Sequence, residues 1–272
     1  MLGLFVLSCR RLVLEERTDC PSFLYFNASN ADLFEEYEYV YATAYDFHTL
    51  EKLASGTGTV KEIQEHRFYL SVTKSDAVSG YGVLGYEGAS QRSQTEWVVN
   101  PPGNFVPLFR FDYKIPALEE SIVVPVEMVK DHSRISVKFK HFDMFSSTQK
   151  GVFPFYVVIK SNTCGINALT GEPVLGEYDY TPKEGTAGMF QFIVPRQADR
   201  SLTMEIWAKE GMYIEDGLID SFNLWDLFKE YGGMSWDAKN LADIDMEIDF
   251  RETQVKVTVA EWNSARSINY EF

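Results

Sequence analysis

Short stretches of alternating apolar and polar residues recur along this chain, and this period of two restricts its fold more than any other feature. In Ser133–Lys140, the apolar Ile135, Val137 and Phe139 alternate with serine and lysine. Successive side chains of a strand point to opposite faces, so this stretch predicts a strand with one buried and one solvated face. The alternating stretches 243–250 and 254–259 flank residues 251–253 and predict a terminal hairpin.

Shorter stretches of the same kind predict strands over much of the remaining chain. They are Phe23–Phe26, Tyr37–Tyr45, His66–Thr73, Tyr81–Tyr86, Ser121–Met128, Phe153–Lys160, Met189–Val194 and Leu202–Ala208. Helical periodicity is weak, and its best candidates are Phe47–Ala54 and Phe222–Tyr231. About a dozen short strands separated by Gly, Pro, Asn and Ser clusters predict an all-β protein built from antiparallel β-sandwiches.

A polar break with the sequence SSTQKG, at residues 146–151, is the predicted domain boundary. It divides the chain into an N-terminal β-sandwich domain, residues 21–148, and a C-terminal β-sandwich domain, residues 149–272. Residues 1–20 precede both as a separate N-terminal segment. A chain of 272 residues is long enough for two modest domains of this kind.

The acidic excess limits the partners of the chain. Its 40 Asp and Glu outnumber its 25 Lys and Arg, which gives a formal net charge of −15. That charge repels phosphate backbones and anionic membranes, so nucleic acid is not a predicted partner. No apolar run reaches the roughly 20 residues that span a bilayer, so any membrane attachment is expected to be covalent.

The beginning of the chain allows two interpretations of Cys9. An apolar run, Leu2–Leu7, is followed by Ser8 and Cys9, which matches a bacterial lipobox, where the cysteine is lipidated and becomes the N-terminus. The run is short and no basic residue precedes it, and a start codon assigned too far downstream would explain both departures. In the alternative, Cys9 is a buried residue of a first strand. The residues alone favour neither interpretation.

No group of residues in the sequence carries the signature of catalysis or of metal binding. The row Asp243, Asp245, Glu247 and Asp249 alternates along a predicted strand, where such side chains lie about 6.5–7 Å apart, so a solvated strand face is favoured over a calcium site. The four histidines have no HxxxH or HExxH spacing, and no GxSxG or nucleotide-binding glycine motif occurs. A Ser–His–carboxylate triad stays open because its members need not be close in sequence. We predict no enzyme, no catalytic residue, no metal and no cofactor.

The cysteines and the clustered aromatic residues each have a structural interpretation as well as a functional one. Cys20 and Cys164 could form a bridge if Cys9 carries lipid, but lone cysteines are more often small buried groups. Two aromatic groups could stack on sugars, although aromatic residues at strand and helix spacing are more often core. These groups are Tyr37, Tyr39 and Tyr41, and Trp225 and Trp236.

Several stretches, taken in order, match one family. Cys9 is followed by LEERTDCP, then by an apolar first strand and by ADLFEEYEYVYATAYDF. The second half contains GEYDYTPKEG, the apolar strand MFQFIVPR and the terminal WDAKNLADIDMEIDFRETQVKVTVAEW. Together these stretches resemble the FimB/Mfa-like family of fimbrial subunits, which build the type V pili of Bacteroidetes. The resemblance covers nearly the whole chain.

The resemblance implies two transthyretin-like β-sandwich domains in tandem and a non-enzymatic role in fimbrial assembly. It also implies a surface-exposed outer-membrane lipoprotein with lipid on Cys9. Stalk subunits of such pili carry a long N-terminal segment that an arginine-specific protease removes, which opens a groove for a neighbour's strand. Here Arg10, Arg11 and Arg17 follow Cys9 closely and leave almost no strand to remove. An anchor or accessory subunit that caps the polymer is therefore expected.

The C-terminal tail, NSARSINYEF, is a candidate contact with other fimbrial subunits. Ile268, Tyr270 and Phe272 alternate with Asn269 and Glu271 and share one face of a predicted strand. The tail either packs on its own domain as a last edge strand or is donated to a groove in a neighbouring subunit by β-strand addition. A surface glycan-binding lipoprotein, or adhesin, is the alternative function.

Overall fold

The structure is a computed structural model that describes residues 21–28, 30, 37–73, 77–86, 89–99, 105–118, 120–142, 152–186, 188–210, 217–230, 233–251, 254–260 and 267–270. Its elements, in chain order, are β1 (Ser22–Ala28), β2 (Tyr39–Asp46), β3 (Lys52–Thr59), α1 (Val60–Gln64), β4 (Tyr69–Val72), β5 (Val78–Leu84), β6 (Ser90–Gln91), β7 (Glu96–Val98), β8 (Phe109–Ile115), β9 (Ile122–Val126), β10 (Val129–Lys130), β11 (His132–Lys140), β12 (Phe155–Asn167), β13 (Pro173–Tyr180), β14 (Met189–Pro195), β15 (Thr203–Ala208), β16 (Leu218–Asn223), α2 (Leu224–Glu230), β17 (Asp243–Asp249), β18 (Gln254–Ala260) and β19 (Ser267–Tyr270). The chain divides into two compact units, one formed by residues 1–84 and 110–128 and the other by residues 85–109 and 129–272.

The first unit is a sandwich of two sheets. One sheet has three strands, in which β1 lies between β4, its antiparallel neighbour, and β9, its parallel neighbour. The other contains β8, β5, β2 and β3 in that order. Phe26 of β1 is fully buried, and its ring centroid lies 5.4 Å from that of Phe111 and 5.2 Å from that of Tyr113, both on β8. These aromatic contacts join the two sheets across the core.

The second unit is a larger sandwich with its own core. One sheet has the order β14, β11, β17, β18, β19, with β11 and β17 parallel and the other pairs antiparallel. In the other sheet, the 13-residue β12 pairs with β13, β15 and β7, while β16 extends β15 and β6 extends β7. Phe153, just before β12, lies 5.0 Å from Phe139 of β11 and 5.4 Å from Phe190 of β14 between ring centroids. Burial of these apolar faces is the main force that stabilises the unit.

The all-β fold class is confirmed, and so are most predicted strands. The alternation in Ser133–Lys140 holds residue by residue, because Ile135, Val137 and Phe139 are buried and Lys138 is exposed. The predicted terminal hairpin is formed by β17 and β18. The predicted helix at Phe222–Tyr231 is observed as α2, which is shorter by a few residues.

The predicted helix at Phe47–Ala54 is wrong. Residues 47–49 form a turn between β2 and β3, and the Asp46 carboxylate accepts hydrogen bonds from the backbone N–H groups of His48 and Thr49 at 2.9 and 2.8 Å. Leu50 follows with a left-handed φ of 58°, which closes the hairpin and cannot continue a helix. The helix α1 was not predicted; it begins with a capping box between Thr59 and Glu62.

The chain passes between the units after residues 84, 109 and 128, whereas the polar break predicted a single boundary after residue 148. The strand β11, which was assigned to the N-terminal domain, pairs with β14 and β17 and belongs to the second unit. Residues 85–109 also belong to that unit, since β7 pairs with the end of β12. The whole predicted segment 1–20 lies outside the described residues, as do residues 143–151 around the break.

Candidate functional site

The edge of the second unit formed by β19 is the candidate site that the sequence singled out. The backbone of Ser267–Tyr270 pairs antiparallel with β18, with Ile268 opposite Val259 and Tyr270 opposite Val257. This is the arrangement of a last edge strand on its own sheet. Phe272 lies outside the described residues, and donation of the tail to another subunit stays a prediction.

The two strands that end the order of this sheet are β14 and β19. At the opposite edge, β14 is partly covered, because Glu184 forms a bridge with Phe190 and the Gly185 N–H donates to the Met189 carbonyl at 3.0 Å. On the side of β19, the sheet order within the described residues ends at the four-residue pairing with β18. An edge strand offers a row of backbone donors and acceptors to another chain. Within the described residues, β19 is therefore the last strand on that side of the sheet.

The outer face of the same sheet is strongly charged. Lys140 pairs with Glu247, and His141 Nδ1 lies 2.8 Å from the Asp249 carboxylate, whose pKa is lowered by this hydrogen bond. Glu247 also lies opposite Lys138 and Lys256 in the strand register. A shallow concavity of about 340 Å³ opens on this face. The acidic row of β17 is thus a solvated strand face matched by cations on neighbouring strands.

Asp243, the first residue of the acidic row, has a different environment. Its carboxylate accepts a 2.6 Å hydrogen bond from Lys130 Nζ and a 2.8 Å hydrogen bond from the Arg134 N–H. The Lys130 side chain is nearly fully buried and also donates to the Leu241 carbonyl at 3.0 Å. Burial lowers the pKa of Lys130, and the charge of Asp243 opposes this shift. These contacts fix the start of β17, and with it the terminal hairpin, to the start of β11.

Four consecutive polar residues around these contacts are buried, although their sequence, KDHS, is typical of an exposed turn. Each of Lys130, Asp131, His132 and Ser133 has a hydrogen-bonding partner inside the second unit. Asp131 accepts from Arg196 Nε at 2.9 Å, and the Ser133 hydroxyl donates to the Ala242 carbonyl at 2.6 Å. Burial of polar groups is tolerated only when they are paired in this way. Among the described residues, no cluster of three or more candidate metal ligands is present.

The two aromatic groups that the sequence offered as sugar platforms have different environments. Trp225 and Trp236 stack with ring centroids 5.6 Å apart and planes 13° apart, but Trp236 is buried in the second unit's core. Tyr39 is 41% exposed, whereas Tyr41 is half-buried and its ring lies 6.4 Å from that of Tyr81. The tyrosines belong to the first unit and the tryptophans to the second. The interpretation of the tryptophans as core residues therefore agrees with the structure.

The structure places an aromatic cluster elsewhere, on the outer side of the three-stranded sheet of the first unit. Phe23 and Tyr25 of β1 and Tyr69 of β4 point away from the core, and their ring centroids lie 5.3 to 6.2 Å apart. Tyr69 is 48% exposed, and Val123 of β9, beside Tyr25 in the register, is 57% exposed. Sequence reasoning missed this cluster, although Phe23 and Tyr25 alternate with the buried Leu24 and Phe26 and so had to face outward.

The predicted cysteine sites are only partly within the described residues. Cys164 is a buried free thiol, and burial raises its pKa. Its Sγ donates a weak hydrogen bond to the Val174 carbonyl at 3.7 Å. Cys9 and Cys20 lie outside the described residues. No described helix has the length and apolarity needed to cross a membrane.

Comparison with known proteins gives structural relatives but no sequence relatives. Neither a protein-family model nor a curated protein sequence matches the chain. A solved structure of a candidate polysaccharide-binding protein from Bacteroides thetaiotaomicron is similar over 93% of this chain and 98% of its own, with a TM-score of 0.65 and 9% sequence identity. The fimbrial anchor protein Mfa2 from Porphyromonas gingivalis is similar over 93% and 100%, with a TM-score of 0.60 and 9% identity.

A candidate adhesin from Bacteroides thetaiotaomicron is similar over 89% of this chain and 97% of its own, with a TM-score of 0.57 and 14% identity. At these identities the similarity establishes a shared fold over nearly the whole length of each protein. The fold implied by the sequence resemblance is thereby confirmed, and the chain is a structural relative of fimbrial and adhesin proteins of Bacteroidetes.

Proposed function

We propose that this chain is a non-enzymatic subunit of a cell-surface fimbria, and that it joins other subunits through its C-terminal strand. The observation that carries the proposal is the match of both sandwich units, over nearly the full length of each protein, to a fimbrial anchor protein. A protein that shares only one β-sandwich with a fimbrial subunit would support the assignment far less, because single sandwiches serve many functions.

The β19 edge supports the assembly step of this proposal. In the free subunit, β19 makes four residue pairs with β18, whereas β18 makes seven with β17. Exchange of β19 into a neighbour's groove thus gives up a short pairing and leaves the longer hairpin in place. The main chain of the tail supplies affinity in the new position, and its alternate side chains fill pockets.

Deletion of Ile268–Phe272 tests this step. We expect the truncated protein to lose the fimbrial subunit that co-purifies with the parent, with only a small decrease in melting temperature, because β17 and β18 still pair along seven residues. Affinity purification from cells that express the fimbrial subunits, followed by a thermal melt of the purified chain, provides both readouts.

The matched control is Met189→Lys, which places a charge on the β14 edge at a residue that is 39% exposed. This variant should keep the co-purifying subunit. If the tail deletion retains that subunit, the tail is not the donor strand. If it instead lowers the melting temperature strongly, β19 is chiefly a structural strand of its own domain.

Membrane attachment through Cys9 is the second part of the proposal. A lipobox cysteine carries acyl chains, and each buried methylene contributes about 0.8 kcal/mol, so two or three chains hold a protein to a bilayer almost irreversibly. Arg10, Arg11 and Arg17 leave little strand between Cys9 and β1 for a protease to remove. A subunit that keeps its lipid and its N-terminal strand would end the polymer at the outer membrane, which is the role of an anchor.

Replacement of Cys9 by serine is expected to release a folded protein from the outer membrane. The acyl chains contribute nothing to the cores of the two units, so the melting temperature should not change. Cell fractionation measures the release, and Cys20→Ser is the matched control that should stay with the membrane. Retention of the Cys9→Ser variant at the parental level would exclude lipidation at this residue.

A further inference from the structure

The outer side of the first unit's three-stranded sheet has no charged side chain on its strands. Phe23, Tyr25 and Asn27 point outward from β1, Tyr69 and Ser71 from β4, and Val123 and Pro125 from β9. The outer face of the β11–β17 sheet in the second unit, by contrast, alternates lysines with carboxylates. The chain has a net charge of −15, so a sheet face without charges is a distinct surface. Exposed apolar patches often mark binding sites, and this one offers no charged group to an ionic ligand, which favours a neutral ligand.

The rings on this surface contact one another. Tyr25 and Tyr69 are directly opposite in the strand register, and their ring centroids are 5.4 Å apart. Phe23 meets Tyr69 edge-to-face at 5.3 Å, with an angle of 89° between the ring planes. We call Phe23, Tyr25, Tyr69 and Val123 the aromatic face. Tyrosine has two side-chain torsions, so ordering it against a ligand costs little conformational entropy.

The chemistry of the aromatic face fits a sugar. The face of an aromatic ring carries partial negative charge, which attracts the C–H groups that line one side of a pyranose. Hydroxyl and amide groups beside the rings, on Ser71 and Asn27, can donate to and accept from sugar hydroxyls. Arg67, two residues before Tyr69, pairs with Glu65, so a charge at this margin is already matched.

Protein partners fit this surface less well. A standard protein interface engages about 20 to 30 residues on each side, several times the number of outward residues on these three short strands. Strand addition is also disfavoured at β9, because Pro125 has no N–H to donate to an added strand. Prolines occur mainly on edge strands, where they discourage pairing with another chain. We infer that the aromatic face binds a neutral saccharide, in addition to any role of this chain in assembly.

Affinity electrophoresis of the full-length protein tests the inference. The native gels contain mannan, dextran or mixed-linkage β-glucan as neutral probes and heparin as the anionic probe. We expect at least one neutral polysaccharide to retard the parent and heparin not to. The Tyr25→Leu/Tyr69→Leu variant keeps apolar side chains on both strands but removes the rings, and its apparent affinity should decrease at least about tenfold.

The matched control is Tyr39→Leu, which removes an exposed tyrosine from the other sheet of the first unit. It should migrate like the parent. Thermal melts accompany each gel, and the single variant Tyr69→Leu, at a half-exposed position on an edge strand, replaces the double variant if the latter is unfolded. No retardation by any neutral probe, equal retardation of parent and ring variants, or retardation by heparin alone would overturn the inference. Loss of a co-purifying protein from the ring variants in place of lost retardation would overturn it too, since the face would then be a protein contact.

Discussion

Replacement of Val137 by aspartate is expected to unfold the second unit of the protein. Val137 lies in the middle of β11, is 1% exposed and pairs with Phe190 on one side and Met246 on the other. The substitution buries a carboxylate among apolar side chains with no cation or donor to pair with it. Burial of such an unpaired group, together with the lost apolar contacts, is expected to cost at least about 4 kcal/mol, a large part of the stability of one domain.

The neighbouring substitution Lys138→Asp is the matched control, because it introduces the same side chain one residue away on the exposed face. It places a carboxylate opposite Glu247, which costs at most about 1 kcal/mol in a cross-strand pair. Tryptophan fluorescence is a suitable measurement, since the four tryptophans among the described residues belong to the second unit. Equal losses of stability in the two variants would show that the inward and outward faces of β11 are misassigned.

Burial along single strands could be predicted because the period of two is a local property. The alternation of Ser133–Lys140 sufficed to place Val137 inside and Lys138 outside. The partner of that strand could not be read in the same way. The parallel pairing of β11 with β17 joins residues more than 100 positions apart, and no local signal marks it. The polar break at 146–151 therefore suggested a boundary that cuts through one sheet.

The prediction at Phe47–Ala54 failed for a related reason. A spacing of apolar residues that suits a helix also occurs in a tight hairpin, and the Asp46 carboxylate and the left-handed Leu50 decide for the hairpin. The aromatic face was missed because aromatic residues at strand spacing are usually core. Alternation assigns Phe23 and Tyr25 to the outer side of β1, but Tyr69 meets them only through the pairing of β1 with β4.

The buried polar stretch KDHS was beyond prediction from the sequence. Its partners are backbone carbonyls and side chains that come from distant parts of the chain, such as Leu108, Arg196 and Asp243. A run of four polar residues is normally solvated, and only the completed fold supplies a partner for each of them. Its histidine is nevertheless expected to make the stability of the second unit depend on pH.

Within that stretch, His132 is expected to have the strongest effect on how the free energy of unfolding depends on pH. It is fully buried, and its Nδ1 lies 3.0 Å from the Leu108 carbonyl, to which a neutral ring donates. Its ring also meets Phe109 edge-to-face, with centroids 4.9 Å apart. Burial, aided by the charge of Lys130, lowers the pKa of His132 to about 3, against the opposing effects of the Leu108 hydrogen bond and Asp243.

The second unit is therefore expected to lose stability as the pH falls from about 6.5 towards 3. Below pH 6.5 the unfolded chain binds a proton at His132, while the folded chain does not bind it until the pH approaches 3. The free energy of unfolding should decrease by about 2 kcal/mol between pH 7.5 and 5 through this residue, and by about 4 kcal/mol by pH 3. Above the pKa of about 6.5 in the unfolded state, His132 is neutral in both states and causes no loss of stability.

The variant His132→Asn isolates this contribution, because its amide N–H can still donate to the Leu108 carbonyl but does not titrate. Urea unfolding followed by tryptophan fluorescence at pH 7.5 and 5 should show a decrease about 2 kcal/mol smaller in this variant than in the parent. His48→Asn, at an exposed position of the first unit, is the control and should leave the decrease unchanged. The carboxylates protonate in both the parent and His132→Asn. Subtracting one pH dependence of the unfolding free energy from the other therefore cancels their contribution. A pH dependence that is the same in His132→Asn and in the parent would mean that the folded second unit accepts a proton at His132 as readily as the unfolded chain does.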